Sequence, residues 1–268
     1  MIPDVAEAVE ERLNEAVRRL VEVLRPERIY LFGSRARGDA REDSDYDLMV
    51  VVPQTEGASI ERQWEGDASL SGVLSPVDLL VWPREVFERQ LPVIASFPAT
   101  IVREGRLLYC DDLRGGSTNN YGVTSERRNG AVMAAEAEQR RLTQEWIKTA
   151  EQDLLVAETV LRHASAPGGV AYHWQQATEK ALKGFLLWNE VPFRKTHALK
   201  ELVEQCETVD PSFAGLKATA AVLGPYVVQF RYPGSGPVPT AEPAAQALDL
   251  ARDAVEFVKR RLPSAPRA

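Results

Sequence analysis

Two apolar runs, Ile29-Tyr30-Leu31-Phe32 and Leu48-Met49-Val50-Val51-Val52, bracket a short polar segment that holds Gly33-Ser34-Arg35-Ala36-Arg37-Gly38 and Ser44-Asp45-Tyr46-Asp47. The runs are β-strand-like in length and residue type, so the spacing predicts strands over 28–32 and 46–52 with the polar segment between their ends. Glycine and serine directly after the first strand make a small-residue turn. Asp45 and Asp47 lie two apart on an extended segment, so both side chains project from the same face. A third strand-like run, Pro76-Val77-Asp78-Leu79-Leu80-Val81-Trp82, predicts a strand over 76–82 with one charged residue in it. A lone carboxylate in an otherwise buried strand needs a partner.

The surrounding chain is divided by its charge. Residues 1–110 hold thirteen arginines, no lysine and twenty acids, while residues 111–268 hold nineteen bases and nineteen acids; all seven lysines lie in the second part. The whole net charge of −7 therefore sits in the first part. An acidic chain argues against broad, nonspecific duplex binding, which requires phosphate neutralisation. No apolar run approaches the roughly 20 residues that spanning a bilayer needs, and the acidic start is unlike a secretory leader. Cys110 and Cys206 are the two cysteines, far apart and without zinc-type spacing, so a disulfide framework and a zinc site are not expected and a cytoplasmic setting is.

Periodicity supplies the remaining elements. An amphipathic helix is expected over 4–24, a helix over 56–70, and a helix over 84–95 opened by Pro83. Thr100-Ile101-Val102 and Leu107-Leu108-Tyr109 are expected to close the first domain, 1–110, as short strands. Residues 111–133, where Gly, Ser, Thr and Asn cluster, read as a linker. From 134 to 268 the pattern is helical, with helices ending near Ala166-Pro167-Gly168-Gly169, then over 170–189, 197–208, 212–229 and 241–262. Short connections favour an antiparallel bundle. The fold class is α+β: a small mixed-sheet domain, then an all-α bundle.

The residues of the first domain suit one chemistry. A glycine turn lets backbone amides approach a polyphosphate. Paired carboxylates repel unless a cation lies between them, and hard divalent cations favour such oxygens together with substrate phosphates. A Gly-Ser turn or an Asp-x-Asp pair taken singly is commonplace; their conjunction between strands is not. The pattern Gly33-Ser34-x-Ala36-Arg37-Gly38, Ser44-Asp45-x-Asp47-Leu48 and a later Asp78 resembles the minimal nucleotidyltransferases of the DNA polymerase β-like superfamily, with every position filled. The resemblance implies that Gly33 and Ser34 contact a triphosphate and that Asp45, Asp47 and Asp78 bind Mg²⁺ or Mn²⁺. It implies that Asp78 activates an acceptor hydroxyl and that Arg35 and Arg37 are phosphate or acceptor contacts. It also implies ATP or another nucleoside triphosphate as donor.

In the second half, His173-Trp174-Gln175-Gln176-Ala177-Thr178-Glu179-Lys180-Ala181-Leu182-Lys183, then Lys195-Thr196-His197-Ala198-Leu199 and Arg231-Tyr232-Pro233, resemble the HEPN domain. Thr196 is expected to be a helix N-cap, and Lys180 and Lys183 to share a helix face. With Lys195, His197, Arg231 and Tyr232 they form a candidate pocket for phosphates or a nucleotide. Many HEPN domains are RNases that use Arg-x(4–6)-His; neither Arg194 nor Arg231 has a histidine at that spacing. Trp146, Trp174 and Trp188 belong to the core or to an interface.

The expectation is a Mg²⁺-dependent nucleotidyltransferase that moves AMP from ATP to a hydroxyl on a protein, an RNA or a small molecule. The HEPN half is expected to be a substrate or regulatory partner of toxin–antitoxin type, dimeric through its helices. The alternatives are a HEPN-based RNase or nucleotide-binding module regulated by the first domain, and an aminoglycoside-type nucleotidyltransferase.

Overall fold

Both apolar runs form strands, and both lie inside one sheet. The computed structural model describes residues 5–41, 44–53, 59–74, 76–111, 125–163, 168–194, 196–225 and 241–263. The chain divides into two compact units, Met1–Ala135 and Glu136–Ala268.

In the first unit, β1 (Arg28–Phe32), β2 (Tyr46–Val52), β3 (Val77–Pro83) and β4 (Arg106–Cys110) form a mixed sheet in the order β3-β2-β1-β4. β1 pairs antiparallel with β2 and with β4, while β2 pairs parallel with β3. All seven residues of β2 are buried, which is why it reads as an unbroken apolar run and not as an alternation. Its period of two still sorts the side chains. Leu48, Val50 and Val52 join Ile29 and Leu31 in one core, with Leu13, Leu20 and Leu24 of α1 (Val5–Leu24). Met49 and Val51 join Tyr30 and Phe32 in the other, with Phe87 of α4 (Arg84–Gln90) and Ile101 of α5 (Phe97–Glu104). α3 (Ser59–Ser69) links the parallel strands β2 and β3. β4 is a half-exposed edge strand that ends at the exposed Cys110.

Three expectations differ here. Residues 100–102 are helical: Ser96 accepts the Ala99 N–H at 3.2 Å and Pro98 sits in the first turn, both helix-start signals. α4 stops at Gln90, five residues short of the expected end, because Pro92 has no N–H to continue the ladder. α2 (Gly33–Arg37) is a single helical turn where a plain turn was expected.

Among its described residues the second unit is all helical: α6 (Ser125–His163), which begins before the unit boundary, α7 (Gly168–Trp188), α8 (Leu199–Val209), a 3₁₀ turn (Pro211–Leu216), α9 (Lys217–Leu223) and α10 (Ala241–Lys259). The segment expected as a linker is thus helix from Ser125 onward. Strong helix formers at Ala131, Ala134, Ala135, Glu136 and Ala137 outweigh Gly130, whose cost is about 1 kcal/mol. The expected helix over 212–229 is broken into a 3₁₀ turn and α9, because Asp210 accepts the Ser212 N–H at 2.9 Å and caps the turn; its last residues, 226–229, lie outside the described residues. α7 is the centre of the bundle, with Ala177, Ala181, Leu182, Phe185 and Leu186 buried against α8 and α10. Phe213 packs on Phe185 at 4.4 Å and edge-on to Phe257 at 5.1 Å. Trp174 is fully buried, while Trp146 and Trp188 are half-buried. Cys206 is also fully buried, and burial pushes its thiol pKa up. Among the described residues, no helix is long and apolar enough to cross a membrane.

Candidate active site

The site grows from the end of β1. After Phe32 the chain enters α2 through Gly33 at φ +72° and leaves it through Gly38 at φ +82°, both in the left-handed region that favours glycine. Phe32 lies opposite Asp47 in the β1–β2 register, so Gly33 comes to rest against the Asp47 carboxylate. A Cβ at position 33 would stand 2.0 Å from Asp47 Oδ2. Glycine is therefore required twice, for its backbone and for the space its missing side chain leaves.

On its other side, Asp47 is the parallel register partner of Asp78. Both belong to the sheet face of Met49, Leu80 and Trp82. Asp47 is buried, Asp78 half-buried and Asp45, just before β2, exposed. The structure thus brings Asp47, Asp78 and the Gly33 turn together, with Asp45 two residues away at the strand entrance. Among the described residues no three His, Cys, Asp or Glu side chains converge as a metal-binding group. The donor set nevertheless fits a hard cation: carboxylate oxygens on adjacent strands, one of them aimed into a cradle that a Cβ would fill.

The two arginines are placed differently from each other. Arg35 turns back into the fold, donating from Nε and Nη2 to the Ser44 carbonyl at 2.9 and 2.6 Å. Its guanidinium carbon lies 4.0 Å from the centroid of the Tyr46 ring. Arg37 pairs with the half-exposed Asp39 at 3.2 Å. Ser34 contributes its carbonyl, which accepts the N–H groups of Gly38 and Asp39 and closes α2. Tyr46 carried no signal in the sequence beyond its place inside the Asp-x-Asp pair.

In the helical unit the expected pocket residues Lys180, Lys183 and His197 face carboxylates. Lys183 Nζ donates to Glu179 Oε1 at 2.7 Å, beneath the rings of Trp146 and Phe193, each 5.9 Å away. His197 Nδ1 lies 3.1 Å from Glu179 Oε2, and Gln175 donates to the same oxygen at 3.0 Å. Burial pushes the Glu179 carboxyl up, but the His197 hydrogen bond and the Lys183 ammonium outweigh it and hold the pKa at about 2. Lys180 belongs to a separate group: it donates to Asp153 Oδ2 at 2.5 Å, and His173 Nδ1 lies 3.0 Å from Asp153 Oδ1. So Lys183 and His197 meet, on a buried carboxylate, and Lys180 does not join them. Lys195, Arg231 and Tyr232 lie outside the described residues. Thr196 is not the N-cap of α8; Ala198 is, and Thr196, two residues earlier, accepts its N–H at 3.1 Å on Oγ1. Asp153 and Glu179 were missed in the sequence, although Glu179 stands four residues from both Gln175 and Lys183, the spacing of helix-face neighbours.

Two family models match the chain: a nucleotidyltransferase domain over residues 10–108 and a HEPN domain over residues 143–261. No curated protein matches it. Among solved structures, the chain is similar to a candidate nucleotidyltransferase from Sulfolobus solfataricus, with 21% identity over 44% of this chain and 99% of that one, at a TM-score of 0.29. The assignment of the two domains rests on the family models and not on that likeness.

Proposed function

We propose, for a chain that carries a nucleotidyltransferase domain followed by a HEPN domain, that the N-terminal site moves a nucleoside monophosphate from a nucleoside triphosphate to a hydroxyl acceptor. The single observation behind this reading is the Asp47–Asp78 register pair with Asp47 Oδ2 set against Gly33. Carboxylates on adjacent strands beside a glycine turn are the donor set that a hard divalent cation and its phosphate ligand favour.

In this reading Asp45, Asp47 and Asp78 would hold Mg²⁺ or Mn²⁺, the exposed Asp45 by its side chain from the entrance of β2. Bound there, the divalent ions supply charge neutralisation for the phosphates and for the pyrophosphate leaving group. The residues of the chain do the rest. Gly33 and Ser34 let the backbone approach the triphosphate closely. Asp78 takes the proton of the acceptor hydroxyl at its carboxylate. The hydroxyl oxygen then forms a bond to the α-phosphorus as the bond to the departing pyrophosphate breaks. ATP is the proposed donor. The HEPN unit is the proposed partner, a dimeric substrate or regulator in an arrangement of toxin–antitoxin type.

The test is incubation with α-labelled ATP and Mg²⁺, beside the Asp45→Ala/Asp47→Ala double variant. The expected result is label transferred to protein, RNA or a small hydroxyl compound by the wild type alone. Absence of transfer to any of these, or equal transfer by the variant, overturns the reading.

A further inference from the structure

The Arg35 guanidinium spans the polar segment in a way that a phosphate ligand would not. Two of its nitrogens converge on one acceptor, the Ser44 carbonyl, and its central carbon lies over the ring of the buried Tyr46, 4.0 Å from the centroid. Ser44 is further tied to Arg41, donating its N–H to the Arg41 carbonyl at 3.1 Å and accepting the Arg41 N–H on Oγ at 2.9 Å. Tyr46 is tied to the neighbouring strand, its N–H donating to the Pro76 carbonyl at 3.0 Å. Both neighbours of Asp45 are therefore tied, and the Arg35 side chain contacts both. Arg35 itself grows from α2, the turn that begins at Gly33.

We propose that Arg35 is a positioning residue: it locks the Ser44–Tyr46 segment to the Gly33–Arg37 turn, so that Asp45 enters the site beside Asp47 at a fixed place. This rests on the nucleotidyltransferase reading and replaces, for Arg35, the phosphate-contact role implied by resemblance. Arginine suits the task because a planar fork can chelate a carbonyl and stack on an aromatic ring together, which an ammonium cannot.

The test uses full-length wild type, Arg35→Lys and Tyr46→Leu, with three readouts that need no turnover. These are Mn²⁺ binding followed by electron paramagnetic resonance, binding of metal-free ATP, and amide hydrogen exchange over residues 44–48. Arg35→Lys is expected to weaken Mn²⁺ binding by about 10–100-fold, the usual cost of losing a residue that orients metal ligands. Exchange over 44–48 should quicken, and metal-free ATP should bind as it does to wild type. If Arg35→Lys does not fold, Tyr46→Leu, which removes only the stacked ring, carries the test and should shift Mn²⁺ binding and exchange in the same direction. Weaker binding of metal-free ATP with exchange over 44–48 unchanged would make Arg35 a phosphate ligand and overturn the proposal. A wild type that binds neither Mn²⁺ nor ATP overturns the nucleotidyltransferase reading instead, and the exchange result then decides the positioning role on its own.

Discussion

The two units differ in the company their buried carboxylates keep: the sheet unit pairs Glu27 with Arg84, as the helical unit pairs its own acids, but it also sets one acid beside another. In the helical unit each buried acid meets cations: Glu179 meets Lys183 and His197, and Asp153 meets Lys180 and His173. In the sheet unit, the strand register sets Asp47 beside another acid, Asp78. An acid against a base holds a fold together; two carboxylates on adjacent strands are the kind of donor set that a divalent cation favours. The proposed transfer is accordingly placed at the sheet unit and not at the lysine-bearing bundle.

The sharpest way to break this contrast is Asp47→Asn. Removing the proposed metal-holding carboxylate should lower transfer by about 10³-fold, equivalent to about 4 kcal/mol of barrier, read as initial rates with labelled ATP. If its main effect fell on the unfolding midpoint instead, the acid pair would be architecture too. Glu179→Gln is the mirror experiment. It strands the buried Lys183 without its counter-charge and should destabilise the helical unit by about 3–5 kcal/mol in denaturant unfolding, with the chemistry of the sheet unit intact.

Acid sharpens the same point. The Glu179 pKa is held at about 2 against a usual 4.5, so the folded unit binds fewer protons than the unfolded chain between those values. Its contribution, about 3 kcal/mol, is complete above about pH 4.5 and is lost as pH falls toward 2. Unfolding of the helical unit should show that loss, and Glu179→Gln should abolish it. Gly33→Ala should cost about 1–3 kcal/mol from backbone conformation alone, and more where the new Cβ meets Asp47; thermal unfolding and transfer rate should fall together. Lys180→Ala should be the mildest, about 1 kcal/mol, because His173 still faces Asp153.

Much of this was legible in the residues. The strands at 28–32 and 46–52 follow directly from apolar runs too short for helices, and Asp78 stood out because it was alone in its strand. The cross-strand register was not legible: that Asp47 faces Asp78 on one side and Gly33 on the other depends on how β2 is sandwiched, which is a tertiary fact. Arg35 shows the same limit. Its place in the motif suggested a ligand contact, while its geometry is set by Tyr46 and Ser44, nine or more residues along the chain. The helix at 97–104 was readable from Ser96 and Pro98 but was masked by the β-branched Thr100-Ile101-Val102. In the bundle, lysines look alike in a sequence. Only the packing of α6 beside α7 separates Lys180, turned to Asp153, from Lys183, turned to Glu179.

The contrast between the two cysteines supplies an unplanned instrument. Cys110 ends the edge strand of the sheet in the open, while Cys206 is sealed in the bundle with its thiol proton tightly held. A mild alkylating fluorophore should therefore mark the native chain at a single site, on the strand that neighbours β1, opposite Arg28 at the end of β1 away from Gly33. Without any substitution, that label reports on the transferase half alone, and its appearance at a second site marks the moment the bundle opens.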